Sequence, residues 1–225
     1  MGYQYGVLMR DELQEAFQSY NLLRASILGK YPWYVRPFGR LALRMMAKYQ
    51  WRRVPQKFKD ELRGLSEGSG LAYQDILFSA VFLEIASAYC TSIIQRTETG
   101  IIHGRNLDFQ PLFLARYPIV VEYNAEGKHR CVSFGVIGYT GIFTGINEKG
   151  LSVSLNSAFG YKRNVRDIPM AFKVRAMLEE SSTIAELDRD LQEYQVNTGW
   201  IMSVGSAVEG DGVAYDLCLD KVVKT

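Results

Sequence analysis

Histidine and cysteine are scarce. There are two histidines, His103 and His129, and three cysteines, Cys90, Cys131 and Cys218, in 225 residues. Three cysteines build no disulfide framework, and the odd count leaves at least one thiol free. Two widely separated histidines without a Cys-x-x-Cys give a zinc site almost no support. Long apolar runs are missing too: none approaches the roughly 18 residues of a membrane-spanning helix, so the chain reads as soluble or peripheral. Met1-Gly2-Tyr3-Gln4-Tyr5 has no long apolar core, so no signal peptide is expected. Met1-Gly2 would suit N-acylation, but Gly6 stands where that signal needs Ser or Thr. Acidic residues are absent between Ala16 and Lys59, a stretch that contains Arg24, Lys30, Arg36, Arg40, Arg44, Lys48, Arg52, Arg53 and Lys57.

What is present supports a packed core. The chain is 48% apolar and 22% charged, with a net charge of +2, outside the composition of disordered chains. Up to Tyr89 the texture is helical. Asp11–Leu28 carries Leu13, Phe17, Tyr20, Leu23 and Ile27 at helical steps. Pro37 is expected to interrupt the next stretch, with Leu41–Arg52 resuming it. Pro55 opens a helix carrying Phe58, Leu62 and Leu65 that ends at Gly68–Gly70. Ala72–Tyr89 reads as a buried helix. From Cys90 onward short β-rich runs follow: Ile93–Gln95, Pro118–Tyr123, Cys131–Phe134, Ile142–Thr144 and Leu151–Leu155. Helices at Met170–Glu180 and Thr183–Glu193 precede strands at Trp200–Val204 and Gly212–Leu219. The organisation is α+β, with one boundary at Tyr89/Cys90, giving a helical region 1–89 and a β-rich region 90–225.

That boundary coincides with chemistry. Thr91–Arg96 and Ile101–Gly104 read as strands around a Thr97-Glu98-Thr99-Gly100 turn. A hairpin centred there pairs positions that sum to about 197, which sets Cys90 opposite Leu107 within about two residues. Arg105 and Asp108 are then expected to flank the thiol. A thiol with such polar support is a nucleophile; on its own, Cys90 would be a small buried apolar residue.

The runs Cys90-Thr91-Ser92-Ile93 and His103-Gly104-Arg105-Asn106-Leu107-Asp108-Phe109 resemble the choloylglycine hydrolase/acid amidase group of N-terminal-nucleophile (Ntn) hydrolases. This group includes acid ceramidase, N-acylethanolamine acid amidase, bile salt hydrolases and penicillin V acylase. Gly135–Gly145 is similar to a glycine-punctuated ceramidase segment. Gly145–Asn156 is similar to a bile salt hydrolase segment ending in an oxyanion asparagine. The resemblance implies a four-layer αββα sandwich, here C-terminally incomplete, preceded by a helical pro-segment. It also implies self-cleavage before Cys90, leaving an α/β heterodimer.

The freed α-amine, titrating near about 7.7–8.0, would serve as base for its own side chain, so no histidine and no metal or organic cofactor would be needed. Arg105 would favour the thiolate, Asp108 would hold the α-ammonium, and Asn156 would donate to the oxyanion. Each has a plainer reading: Arg105 and Asp108 as an ordinary ion pair, Asn156 as a turn residue. Ser157-Ala158 stands where ceramidases carry a glutamate beside that asparagine. A second oxyanion asparagine has no counterpart, since Asn197-Thr198-Gly199 lacks the context. His103 reads as structural, with a papain-like Cys–His pair the less favoured use. His129 reads as a solvated loop residue, and Cys131 and Cys218 as core.

The implied reaction is hydrolysis of a linear carbon–nitrogen amide bond in an N-acylated small molecule or lipid amide. An isopenicillin N-type acyltransferase, or an inactive membrane-associated binding protein on the same scaffold, is the alternative. The acid amidases imply a lysosomal or secreted setting. The basic, aromatic-rich segment 24–59 reads as a solvated face, as a peripheral contact with anionic membranes, or, least well, as a nucleic-acid contact, which no motif accompanies.

Overall fold

The computed structural model describes residues 1–85, 88–109, 116–158, 168–193, 199–218 and 221–224. Asn197 and Thr198 lie outside them, as do the side chains of Arg24 and Cys218. The described residues fall into two compact units. One holds residues 1–85 with 116–118 and Val136–Thr140; the other holds the remainder from Ala88 onward.

The first unit is helical: α1 (Gly2–Leu8), α2 (Arg10–Gly29), α3 (Arg36–Trp51), α4 (Gln56–Ser69) and α5 (Tyr73–Ile85). The periodic apolar residues of α2 and α4 make its core, where Leu13, Phe17, Phe58, Leu62 and Leu65 are fully buried beside Ile76 of α5. Pro37 does not interrupt a helix as expected. It sits in the first turn of α3, where its missing N–H has no intrahelical acceptor to lose. Helix α1 was not foreseen. It survives by contact with α4: a Cβ at Gly68 would stand 2.2 Å from the Tyr3 carbonyl oxygen, and one at Gly6 2.6 Å from that of Leu65. The bare glycines let the two backbones touch. Tyr5 of α1 accepts a hydrogen bond from the Gly138 N–H at 2.9 Å, and burial pushes its hydroxyl up to about 12.

The second unit is built on two antiparallel sheets. A hairpin, β1 (Ala88–Thr97) and β2 (Gly100–Phe109), stands apart from a seven-stranded sheet whose order follows the chain. Its strands are β3 (Pro118–Tyr123), β4 (Cys131–Val136), β5 (Thr144–Asn147), β6 (Leu151–Ser157), β7 (Trp200–Ser206), β8 (Asp211–Cys218) and β9 (Lys221–Lys224). Helices α6 (Met170–Glu180) and α7 (Ile184–Glu193) connect β6 to β7. The class is α+β, as expected from the sequence.

Strand β6, Leu-Ser-Val-Ser-Leu-Asn-Ser, alternates, and alternation sends successive side chains to opposite faces. Leu151, Val153 and Leu155 are buried on the face that carries α6, since Gly145, the register partner of Val153, points at Leu178 of that helix. Met202 and Tyr215 continue the same face across β7 and β8, and Tyr215 donates to Asp188 of α7. The opposite face is small and polar: Ser152, Ser154 and Asn156, then Ser203 and Gly205, then Gly212. The hairpin lies on it. A Cβ at Gly212 would stand 2.5 Å from Ile94, and one at Gly205 2.7 Å from Ile101, so side-chain-free positions admit the hairpin closely. Three layers result: helix, sheet, hairpin.

Asn147, at the β5–β6 turn, ties this frame together. Its amide donates to the carbonyls of Leu178 and Ser181 at 2.9 and 2.8 Å, and its oxygen accepts from the N–H groups of Lys149 and Leu151.

Candidate active site

The hairpin register is the expected one: Cys90 pairs with Leu107, Ser92 with Arg105, and Tyr89 with Asp108. Directly paired residues share a face. Cys90, Ser92, Arg105 and Leu107 therefore project together toward the polar face of the large sheet, while Asn106 and Asp108 project away from it.

Arg105 meets the thiol. Its Nη2 donates to Cys90 Sγ at 3.6 Å and also to the Leu155 carbonyl; its Nη1 donates to the Phe143 carbonyl at 3.0 Å and to Thr144 Oγ1. A planar guanidinium held by two main-chain carbonyls and a hydroxyl cannot swing away. Its Nε is buried without a partner among the described residues. Burial pulls the Arg105 guanidinium below its ordinary value, and the neighbouring Cys90 opposes that shift. Cys90 is half-buried, its thiol free.

Asp108 corrects an expectation. It does not flank the thiol, because the two-residue pleat carries it to the outer face of the hairpin. There it is exposed and accepts a hydrogen bond from Asn106 at 3.0 Å. Its backbone lies beside the Tyr89–Cys90 peptide.

Asn156 is buried on β6 beside Leu155, the residue whose carbonyl clamps Arg105. Its Nδ2 donates to Ser92 Oγ at 2.7 Å, and Ser92 Oγ stands 2.8 Å from Ser203 Oγ. An amide nitrogen carries two N–H groups, so one remains after the bond to Ser92. Oδ1 of Asn156 is buried without a partner among the described residues. Asn147, nine residues earlier in the same motif, has every polar atom engaged; Asn156 does not, as befits a group left with bonding capacity.

Ser92, Thr144 and Ser203 were not singled out from the sequence. Ser92 was within reach of it, two residues from Cys90 and hence on the thiol's face. Thr144 and Ser203 come from distant strands with no local signal. His103 sits between two hydroxyls, Nδ1 at 2.8 Å from Ser152 Oγ and Nε2 at 2.9 Å from Ser154 Oγ. Burial, then the charge of Arg105, lower its pKa from the ordinary value. With both ring nitrogens engaged, it is a bridge between hairpin and sheet. His129 bonds Ser182 at 3.0 Å, and Cys131 is buried. Among the described residues no group of three His, Cys, Asp or Glu side chains is placed to hold a metal ion, and no helix is long and apolar enough to cross a membrane.

Several known proteins are similar to this chain. Acid ceramidase of Mus musculus is 25% identical over 186 residues, covering 71% of this chain and 47% of that protein. N-acylethanolamine-hydrolyzing acid amidase of Cavia porcellus is 27% identical over 171 residues, covering 71% and 48%. The chain thus spans about half the length of the curated relatives it matches. The solved Caenorhabditis elegans N-acylethanolamine-hydrolyzing acid amidase ortholog aligns with a TM-score of 0.46 at 23% identity, over 56% of this chain and 58% of that one. The family model described as acyl-coenzyme A:6-aminopenicillanic acid acyl-transferase matches residues 95–207. That span runs from β1 past the end of β7, takes in Arg105, Asp108 and Asn156, and makes up half of the chain, which therefore belongs to this acyl-transferase family of the Ntn hydrolases.

Proposed function

We propose that Cys90 is the nucleophile of an amidase acting on the linear carbon–nitrogen bond of an N-acylated small molecule or lipid amide. The observation that carries this reading is the thiol 3.6 Å from a guanidinium which three further acceptors hold in place. A neighbouring cation favours the thiolate, the reactive form.

The thiol first acts on its own chain. Sγ attacks the Tyr89 carbonyl carbon, the peptide nitrogen leaves with a proton as the α-amine of Cys90, and water hydrolyses the resulting thioester to the Tyr89 carboxylate. Residues 1–89 then stay on as the partner chain of 90–225. Asp108, opposite Tyr89 but on the outer face of the hairpin, would accept the new α-ammonium by a charge-assisted hydrogen bond only after turning from its bond with Asn106.

In turnover the α-amine takes the thiol proton and the thiolate attacks the substrate carbonyl. The free N–H of Asn156 and a backbone N–H receive the oxyanion. The amine departs with the proton, and water releases the acid from the thioester. The acyl-transferase description of the family supports a second reading, in which an amine rather than water takes the acyl group.

Intact-mass measurement tests the first step. Fragments 1–89 and 90–225 are expected from the wild-type chain and a single uncut species from Cys90→Ala. Cleavage that persists in Cys90→Ala would overturn the assignment. Adding a primary amine during turnover of an N-acyl amide separates hydrolysis, which yields free acid only, from transfer.

A further inference from the structure

His103 stands at the head of a line of hydroxyls that ends at Asn156. Ser152 Oγ donates its one proton to the Gly205 carbonyl at 3.2 Å, so His103 Nδ1, 2.8 Å away, supplies the hydrogen of their bond. In the neutral ring Nε2 is then bare and accepts the Ser154 O–H at 2.9 Å. Ser154 is fully buried and lies opposite Ser203 in the β6–β7 register, where facing Cβ atoms are about 4.5–5.5 Å apart. Ser203 Oγ meets Ser92 Oγ at 2.8 Å, and Ser92 Oγ takes the Asn156 N–H at 2.7 Å. That leaves one proton of the Ser92–Ser203 pair without an acceptor among the described residues, beside the buried Asn156 Oδ1 that has no donor.

Turning the Asn156 amide over satisfies both. Ser203 then donates to Ser92, Ser92 donates to Oδ1, and both N–H groups of Asn156 come free. The turn needs a donor behind Ser203. Ser154 becomes that donor when His103 takes a proton, because Nε2–H then donates to Ser154 Oγ and the Ser154 O–H swings across the register. The charges around the ring come from two sides. Arg105 lies two residues along β2; β1 carries Cys90 beyond it and Arg96, which pairs with Asp211 of β8 at 3.0 Å. Strand β8 adds Asp216, opposite Ile201, while β5, β6 and β7 contain no charged residue. We propose that His103 is a positioning residue for Asn156: the protonated ring aligns the Ser154, Ser203 and Ser92 hydroxyls toward the amide, which then offers two N–H groups where it offered one. The gain in turnover rests on Asn156 being the oxyanion donor proposed above.

The test is an NMR titration of the isotope-labelled full chain in its uncut Cys90→Ala form, with the Asn156 side-chain amide assigned by its loss in Asn156→Asp. The Asn156 amide and the His103 ring are expected to titrate together, with one midpoint below about 6.5. Ser154→Ala, a small change that leaves the imidazole in place, should let the ring titrate while Asn156 stands still. In the Cys90 chain, turnover of an N-acyl aminocoumarin is expected to gain about fivefold across that midpoint relative to Ser154→Ala, the net share of one hydrogen bond. An Asn156 signal that ignores the ring, one that still follows it in Ser154→Ala, or a ring that takes no proton before the chain unfolds would each overturn the proposal. So would turnover without the acid gain. Coupled titration with no turnover at any pH would instead overturn the amidase reading and leave the link from His103 to Asn156 standing.

Discussion

Replacing Arg105 separates its charge from its shape. The guanidinium feeds the carbonyls of Phe143 and Leu155, the Thr144 hydroxyl and the Cys90 sulfur at once. Methionine fills similar volume but removes the donor; the Phe143 carbonyl keeps the Leu155 N–H at 2.8 Å, whereas the Leu155 carbonyl loses its side-chain donor, and a buried unsatisfied group costs about 1–3 kcal/mol. That about 1–3 kcal/mol is a noticeable part of the roughly 5–15 kcal/mol that holds a typical domain together. Lysine keeps the charge, but its compact ammonium cannot reproduce the planar fork, and a smaller loss of about 1 kcal/mol is expected, one hydrogen bond's net share. Both variants belong in a Cys90→Ala background, where urea unfolding is free of cleavage. In the Cys90 background, iodoacetamide alkylation of the thiol reports on the charge: Arg105→Met should slow it strongly and Arg105→Lys less. An Arg105→Met chain within about 0.5 kcal/mol of its parent, the size of an ordinary surface change, would refute the clamp as described.

Asn156→Asp keeps the shape and removes the amide donors; turnover is expected to fall about 10²- to 10³-fold, the usual loss of an oxyanion donor, while Ser92→Ala, which removes only the neighbour, should cost far less. For His103 the lowered pKa fixes a sign. The folded state holds it neutral, whereas the unfolded chain takes a proton below about 6.5. Stability from this site is thus present above that pH and lost as pH falls through the folded value. Urea midpoints at neutral and mildly acidic pH should diverge more for wild type than for His103→Asn, and an equal or steeper fall in the variant would reject the assignment.

Much of the site was legible because its parts are local. A Thr-Glu-Thr-Gly turn set the hairpin register, and Cys90 indeed faces Leu107. The same register held the error over Asp108: an odd pairing sum puts odd residues of one strand on the face of even residues of the other, so 105 joins 90 and 108 does not. Thr144 and Ser203 were illegible, since they reach the hairpin only through the stacking of one sheet on another. Helix α1 was hidden for a different reason. Its two glycines lower intrinsic helicity, and only the close approach to α4 repays that loss. Pro37 misled because a proline in a first turn and one in a helix interior look alike until the start of the helix is known.

The ladder of β1 begins at Ala88, two residues ahead of the sulfur. Breaking the backbone at Cys90 would unzip the rungs to Phe109 and Asp108 and leave that stretch of β2 unpaired. The opening measures about two extended residues, roughly 7 Å, and is rimmed by amide groups that need new partners. A chain that cuts itself there would thus carve, from its own departing strand, a berth sized for a short planar amide right next to the atom that attacks it.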